Sequence, residues 1–256
     1  MSVAAGHCAL RATRTRTCRN AHKVGQGPRG TVLHVTAQDR ITHPAERKLP
    51  KGPHSLTREE VADTQRARLI DAVLTNVGER GYATTTVGHI TATAAVSRTS
   101  FYEQFTGKQD AFLAAYRDLT ADFINRSVAV AATALTPMEA VDACSDFLVG
   151  YVHSRPTAVR AVLLEIYAVG DAGLKAREHT LRAGEAVFNR TAAWLRTTDP
   201  TLASPPRFTA RTVVAATIEL LTQAIWHATD EGYAQTREAV RYTWLLGLFG
   251  HRDIPA

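Results

Sequence analysis

The sequence from residue 55 onward predicts an all-α protein: an N-terminal three-helix helix-turn-helix domain followed by a larger helical domain. Proline placement is the first reason. None occurs from residue 54 to 136, from 157 to 199 or from 207 to 254, and Pro137, Pro156, Pro200, Pro205 and Pro206 punctuate the long stretches between, as residues that open or stop helices do. Within those stretches apolar residues recur at helical spacing, whereas no run alternates at period two as a half-buried strand would.

The elements follow in order. Thr57 with Glu60 three residues on is a capping box, opening a helix whose stripe is Leu69, Ile70, Val73, Leu74 and Val77 and whose end is marked by Gly78 and Gly81. Thr85 or Thr86 caps a short second helix through Val87 and Ile90 to Ala94. A tight turn over residues 95–97 leads into a third short helix, 98–105. After Thr106 and Gly107 a longer helix runs from Lys108 through Phe112, Leu113, Tyr116 and Leu119 towards Ala134. Pro137 and Pro156 open two more, and another spans about 171–197. The loop 199–206 precedes two last helices near 207–230 and 234–250, about nine in all.

Composition narrows the classes. The chain is 45% hydrophobic and 21% charged, the balance of a soluble protein, and no apolar run approaches the roughly 18 residues that span a bilayer. Cys8, Cys18 and Cys144 stand at unrelated spacings that suit neither a disulfide framework nor a zinc site, so a reducing, cytoplasmic home is expected. The net charge of +6 is uneven. Residues 1–54 hold ten Lys/Arg against Asp39 and Glu46, while the rest carries 20 basic and 22 acidic side chains. The basic tail lacks apolar periodicity and is expected to be disordered. Arginines break any secretory signal there; an organellar transit peptide or a downstream translation start fits the same composition. The divisions expected are thus 1–54, 55–116 and 117–256.

Residues 85–105, two short helices joined by a tight turn, have the pattern of a helix-turn-helix, whose second helix enters the major groove. Val87, Ile90, Ala94, Val96, Phe101 and Phe105 would hold the pair together. Arg98, Thr99, Ser100, Tyr102, Glu103 and Gln104 would stay exposed, and these types suit base edges and phosphates.

The stretch from Gly81 and Tyr82 through Thr84, Thr85, Thr86, Val87 and Ile90, then Ala94, Ala95, Val96, Ser97, then Phe101, Tyr102, Phe105 and Lys108, resembles the DNA-binding domain of the TetR/AcrR family of bacterial repressors. The resemblance covers about residues 64–116. It implies that Thr86 touches the DNA backbone and that Ser97, Arg98, Thr99 and Ser100 front the recognition helix. It also implies phosphate contacts for Tyr102 and Lys108, the latter at a helix N-terminus where backbone N–H groups attract anions. Three departures stand out. Ala95 replaces the turn glycine, at a cost on the order of 1 kcal/mol if the position needs positive φ. Gly88 weakens the second helix by a similar amount. Glu103 stands where a cation would serve DNA better, so it reads a cytosine or faces away. Residues 57–116 are not basic, which makes the Arg-rich tail a candidate arm adding affinity without specificity.

In the last two helices Val214, Ile218, Leu221 and Ile225, and Val240, Trp244 and Leu248, recur at helical spacing, with Leu245, Leu246 and Phe249 widening the second stripe. These are either core packing or, as the family resemblance implies, part of a four-helix homodimer interface. A dimer would read a palindromic operator in double-stranded DNA through half-sites about 34–36 Å apart. The resemblance further implies a small-molecule pocket among the middle helices; the candidates are Phe147, Tyr151, Leu163, Tyr167, Phe188 and Trp226, with Glu165 and His227 as polar contacts. No metal-ligand pair on a helix and no nucleotide-binding glycine loop occurs, and Glu178 beside His179 reads as a solvated pair. No enzyme activity, metal, cofactor or membrane partner is therefore expected. The function expected is a dimeric, ligand-released transcriptional repressor. The rival is a helical dimeric protein–protein adaptor with a non-functional hairpin, and a weaker third reading is a helical enzyme.

Overall fold

The computed structural model describes residues 57–250; the basic tail expected over 1–54, with Cys8 and Cys18, lies outside the described residues. Among the described residues there are nine α-helices and no strand: α1 (Arg58–Arg80), α2 (Val87–Ala94), α3 (Arg98–Gln104), α4 (Lys108–Ala132), α5 (Pro137–Ser154), α6 (Pro156–Leu164), α7 (Asp171–Thr198), α8 (Thr209–Trp226) and α9 (Asp230–Phe249). A short 3-10 helix, Glu165–Val169, continues α6.

Local chemistry sets the boundaries. The Thr57 side chain accepts from the Glu60 N–H while Glu60 accepts from the Thr57 N–H, the expected capping box. Thr86, Ser97, Thr136 and Thr229 cap α2, α3, α5 and α9 in the same side-chain manner, each satisfying one of the N–H groups that a helix start leaves unpaired. Proline opens α5 and α6, where its missing N–H removes no bond. The last two helices differ from expectation: α8 stops at Trp226 and α9 starts at Asp230, because the Thr229 hydroxyl accepts from Gly232 and begins the helix four residues early.

One continuous hydrophobic core runs from Leu69, Ile90 and Phe101 through Phe112 and Leu119 to Leu148, Val162, Leu221 and Val240. α4 bridges it, packing against α1, α5 and α7. A second cluster, centred on Phe188, Val213, Leu245 and Leu248, closes the far side of α7, α8 and α9. The expected stripes of α8 and α9 lie mainly inside the monomer. Val214, Leu221, Val240 and Leu248 are all buried within one chain, so they are not a free interface. Tyr242 and Leu246 are the large apolar residues that α9 leaves exposed.

Candidate DNA-binding hairpin and ligand cavity

The hairpin is held from beneath. Ile90, Phe101 and Phe105 are buried, and Phe105 meets Phe101 at 5.6 Å between ring centres. Polar side chains of α1 tie down the connections. Asn76 Nδ2 donates to Thr93 Oγ1 at 2.9 Å, the buried Thr85 hydroxyl reaches the Asn76 carbonyl at 3.1 Å, and Arg68 donates to the Ala95 carbonyl at 3.3 Å. Ala95 sits in the left-handed region at φ 50°, ψ 46°, the strained conformation that the missing turn glycine implied.

What this frame presents outward is short and polar. Ser97 caps α3 by accepting from the Ser100 N–H at 2.9 Å, and its own hydroxyl donates to Ser100 Oγ at 3.0 Å. Arg98, Thr99 and Glu103 are exposed and Ser100 is half-buried. Tyr102 is 59% exposed, its ring set edge-on against Phe101, which leaves the hydroxyl pointing away from the core contact. Thr86 Oγ1 accepts from the His89 N–H, so its O–H proton remains to donate. A Cβ at Gly88 would lie 3.1 Å from an Arg98 guanidinium nitrogen; the glycine weakens α2 but lets Arg98 lie across it. Lys108 is less exposed than expected. Its ammonium donates to the Tyr82 carbonyl at 2.7 Å and lies over the Tyr82 ring at 4.3 Å, so it clasps the loop between α1 and α2 and keeps one N–H in reserve.

A cavity opens beneath this unit, among α4 to α9, with about 1300 Å³ of space counting its mouth. Of the expected pocket residues, Tyr151 and Leu163 are on its wall. The other four are placed elsewhere. Phe147 packs behind the wall on Phe123 and Tyr151, and Phe188 is fully buried in the second cluster against Trp244. Tyr167 and Trp226 are 52% and 58% exposed, each beneath an arginine, Arg177 and Arg160. Glu165 also leaves the cavity: its carboxylate accepts the Tyr82 N–H at 2.8 Å. His227 is exposed at the end of α8. Glu178, expected to be solvated beside His179, is gripped by Arg211 and Arg182, which hold its carboxyl down at about 2.

For Phe147 and Phe188 the physical reason is bulk. Large aromatic side chains fill interior space, and space remains where inward faces carry small ones. Ser127, Ala131, Ala140, Cys144 and Gly184 mark the cavity instead. That signal was in the sequence, as small residues on faces otherwise occupied by Leu, Val and Phe. Burial pushes the Cys144 thiol up to about 11, so it behaves as a small apolar group there. Among the described residues no cluster of His, Cys, Asp and Glu could hold a metal ion, and no helix is long and apolar enough to cross a membrane.

An exposed polar helix on a buried hairpin, backed by a helical domain with a cavity, defines a helix-turn-helix unit joined to a cavity-bearing helical bundle as the architectural class. Residues 69–115, which span the hairpin and the adjoining parts of α1 and α4, match the family model of bacterial regulatory proteins, tetR family. Solved structures share the fold. FadR of Bacillus subtilis in complex with stearoyl-CoA superposes with a TM-score of 0.63 at 17% identity, over 72% of this chain and 98% of that one. FadR of Bacillus halodurans gives 0.61 at 17%, over 72% and 98%. The reduced form of NemR from E. coli gives 0.60 at 16%, over 75% and 100%. No curated protein matches the sequence.

Proposed function

We propose that this protein is a cytoplasmic, homodimeric repressor that binds a palindromic operator and is released from it by a small molecule held in the cavity. The observation that carries the reading is the outward face of α3: a capped, polar helix start on a hairpin whose apolar residues are all engaged beneath it. Residues 97–100 reach base edges and phosphates, Thr86 and Tyr102 donate hydroxyl protons to phosphate oxygens, and Lys108 positions the start of α2 with its remaining N–H directed to the backbone. Residues 55–116 act as the DNA-binding domain and 117–256 as the effector and dimer domain, with α4 shared between them. Tyr242 and Leu246 of α9, left exposed in the monomer, contribute to the dimer face. That the FadR of Bacillus subtilis, a protein of the same fold, binds stearoyl-CoA supports a small-molecule effector here.

The test is selection of bound fragments from random and genomic DNA with the full chain and with an Arg98→Ala/Tyr102→Phe variant, both side chains being exposed and dispensable for folding. A palindrome enriched by the parent and lost by the variant is the expected result. A folded dimer that enriches nothing at low salt would overturn the reading in favour of an adaptor.

A further inference from the structure

The cavity wall has a composition that specifies its occupant. Its hydroxyls are already engaged on the protein. Thr120, Ser127, Thr180, Thr191 and Thr217 each donate to the carbonyl four residues earlier in their own helix. The Tyr151 hydroxyl donates to Asp122 at 3.1 Å, and the Trp244 indole N–H donates to Thr217 at 3.1 Å. Most of the surface offered to a guest is therefore apolar.

Arg177 is the exception. It is the one charged residue on the wall, no carboxylate lines the cavity, and among the described residues no acidic side chain pairs with it. Its guanidinium lies over the ring of half-exposed Tyr167 at 5.3 Å, which puts it at the rim. Beside it stand Tyr116 and Thr180, also on the wall. Arg177 and Thr180 stand three residues apart on one face of α7; burial raises the Tyr116 phenol, with Thr180 and the charge of Arg177 acting in the opposite direction. From Tyr116 the lining continues along α4 to Ala131, about 22 Å away at 1.5 Å per residue.

We propose that the cavity binds a long-chain carboxylic acid, its carboxylate on the Arg177 guanidinium beside Tyr116, and its chain along α4. This rests on the cavity being the effector site and names the ligand class for it. A guanidinium matches a carboxylate by two parallel N–H···O bonds. A single cation suits a single negative charge; a nucleotide-bearing thioester, with several phosphates, would ask for more cations than the wall carries.

The full-length protein, freed of lipid, is titrated calorimetrically below the micellar range with tetradecanoate, tetradecanol, tetradecylamine and tetradecanoyl-CoA. The acid is expected to bind about tenfold or more tighter than the alcohol, the value of a charge-assisted hydrogen-bond pair, with the amine weakest. Arg177→Gln brings the acid down to the alcohol and leaves the alcohol unchanged; Arg177→Lys keeps the preference for the acid. Equal binding of acid and alcohol, an acid preference that survives Arg177→Gln, or tighter binding of the thioester than of the acid would overturn the proposal. The operator assay separates this from the wider reading. A palindrome bound by a protein that takes no acid removes only the ligand assignment. An acid that binds through Arg177 without weakening the operator complex keeps the site and removes the release mechanism.

Discussion

Ala95 holds a left-handed backbone conformation at φ 50°, where a Cβ crowds the following carbonyl, at a cost on the order of 1 kcal/mol. Glycine adopts that geometry without the clash. Ala95→Gly is therefore expected to stabilise the protein by about 1 kcal/mol, seen as a higher urea midpoint with an unchanged slope. An unchanged or lower midpoint would show that the Arg68 bond to the Ala95 carbonyl and the packing of Val96 already relieve the strain. The same position illustrates what a sequence can reveal about one residue. The absence of glycine from the turn was visible against the family pattern that the sequence resembles, and a left-handed turn leaves few residue types to choose from. Glu165 was not legible in this way. An acid between apolar neighbours can serve a ligand or a backbone N–H equally well, and only the path of the chain brings it to Tyr82.

At the scale of the helix, Gly78 sets two effects against each other. It lies inside α1, where alanine would be the better helix former by about 1 kcal/mol. A Cβ there, however, would sit 2.1 Å from the Thr157 carbonyl oxygen at the start of α6. The obstacle is backbone, which cannot swing aside, and overpacking of this kind costs about 1–3 kcal/mol. Gly78→Ala should therefore destabilise, opposite to the propensity rule, and a stabilised variant would mean that α6 does not sit this close. The helix spans themselves were largely readable, since caps and prolines act locally. The 3-10 continuation of α6 and the early start of α9 were missed because they depend on neighbours: Glu165 turns towards α1, and Thr229 needs the chain to double back at His227. Between α7 and α8 the Glu178 carboxyl, held at about 2 against an ordinary 4.5, gives a pH signature. A depressed folded-state pKa stabilises above the unfolded value and is lost as pH falls towards the folded one. The stability gap between the parent and Glu178→Gln should thus be constant above about pH 5, narrow below 4.5 and close near 2. A gap independent of pH would show that Arg211 and Arg182 do not favour the ionised form.

In the whole molecule, α6 stands between the cavity and the hairpin. Val159, Val162 and Leu163 of α6, with Ile166 just beyond it, form part of the wall. The same segment is pinned to α1 at one end by the Gly78 approach to Thr157 and to the following loop at the other by Glu165 on the Tyr82 N–H. The Tyr82 carbonyl in turn takes the Lys108 ammonium, so a single residue is gripped through both its backbone groups, from the cavity side and from the base of α4, in the loop before α2. A ligand changes DNA affinity only through an element whose position differs between the bound and released states, and this clamp is where a shift of the wall reaches the hairpin. Cutting it at Glu165 should lower the coupling more than either affinity. Glu165→Ala is expected to bind the selected operator within about threefold of the parent, while the weakening of that complex by tetradecanoate shrinks by about fivefold, close to 1 kcal/mol of coupling. Glu165→Gln, which keeps an oxygen to accept the Tyr82 N–H, should recover most of it. Reciprocity supplies the check: in Glu165→Ala the ratio of tetradecanoate affinities measured with and without operator must fall by the same factor. A variant that retains the full ratio would place the coupling in α4 alone.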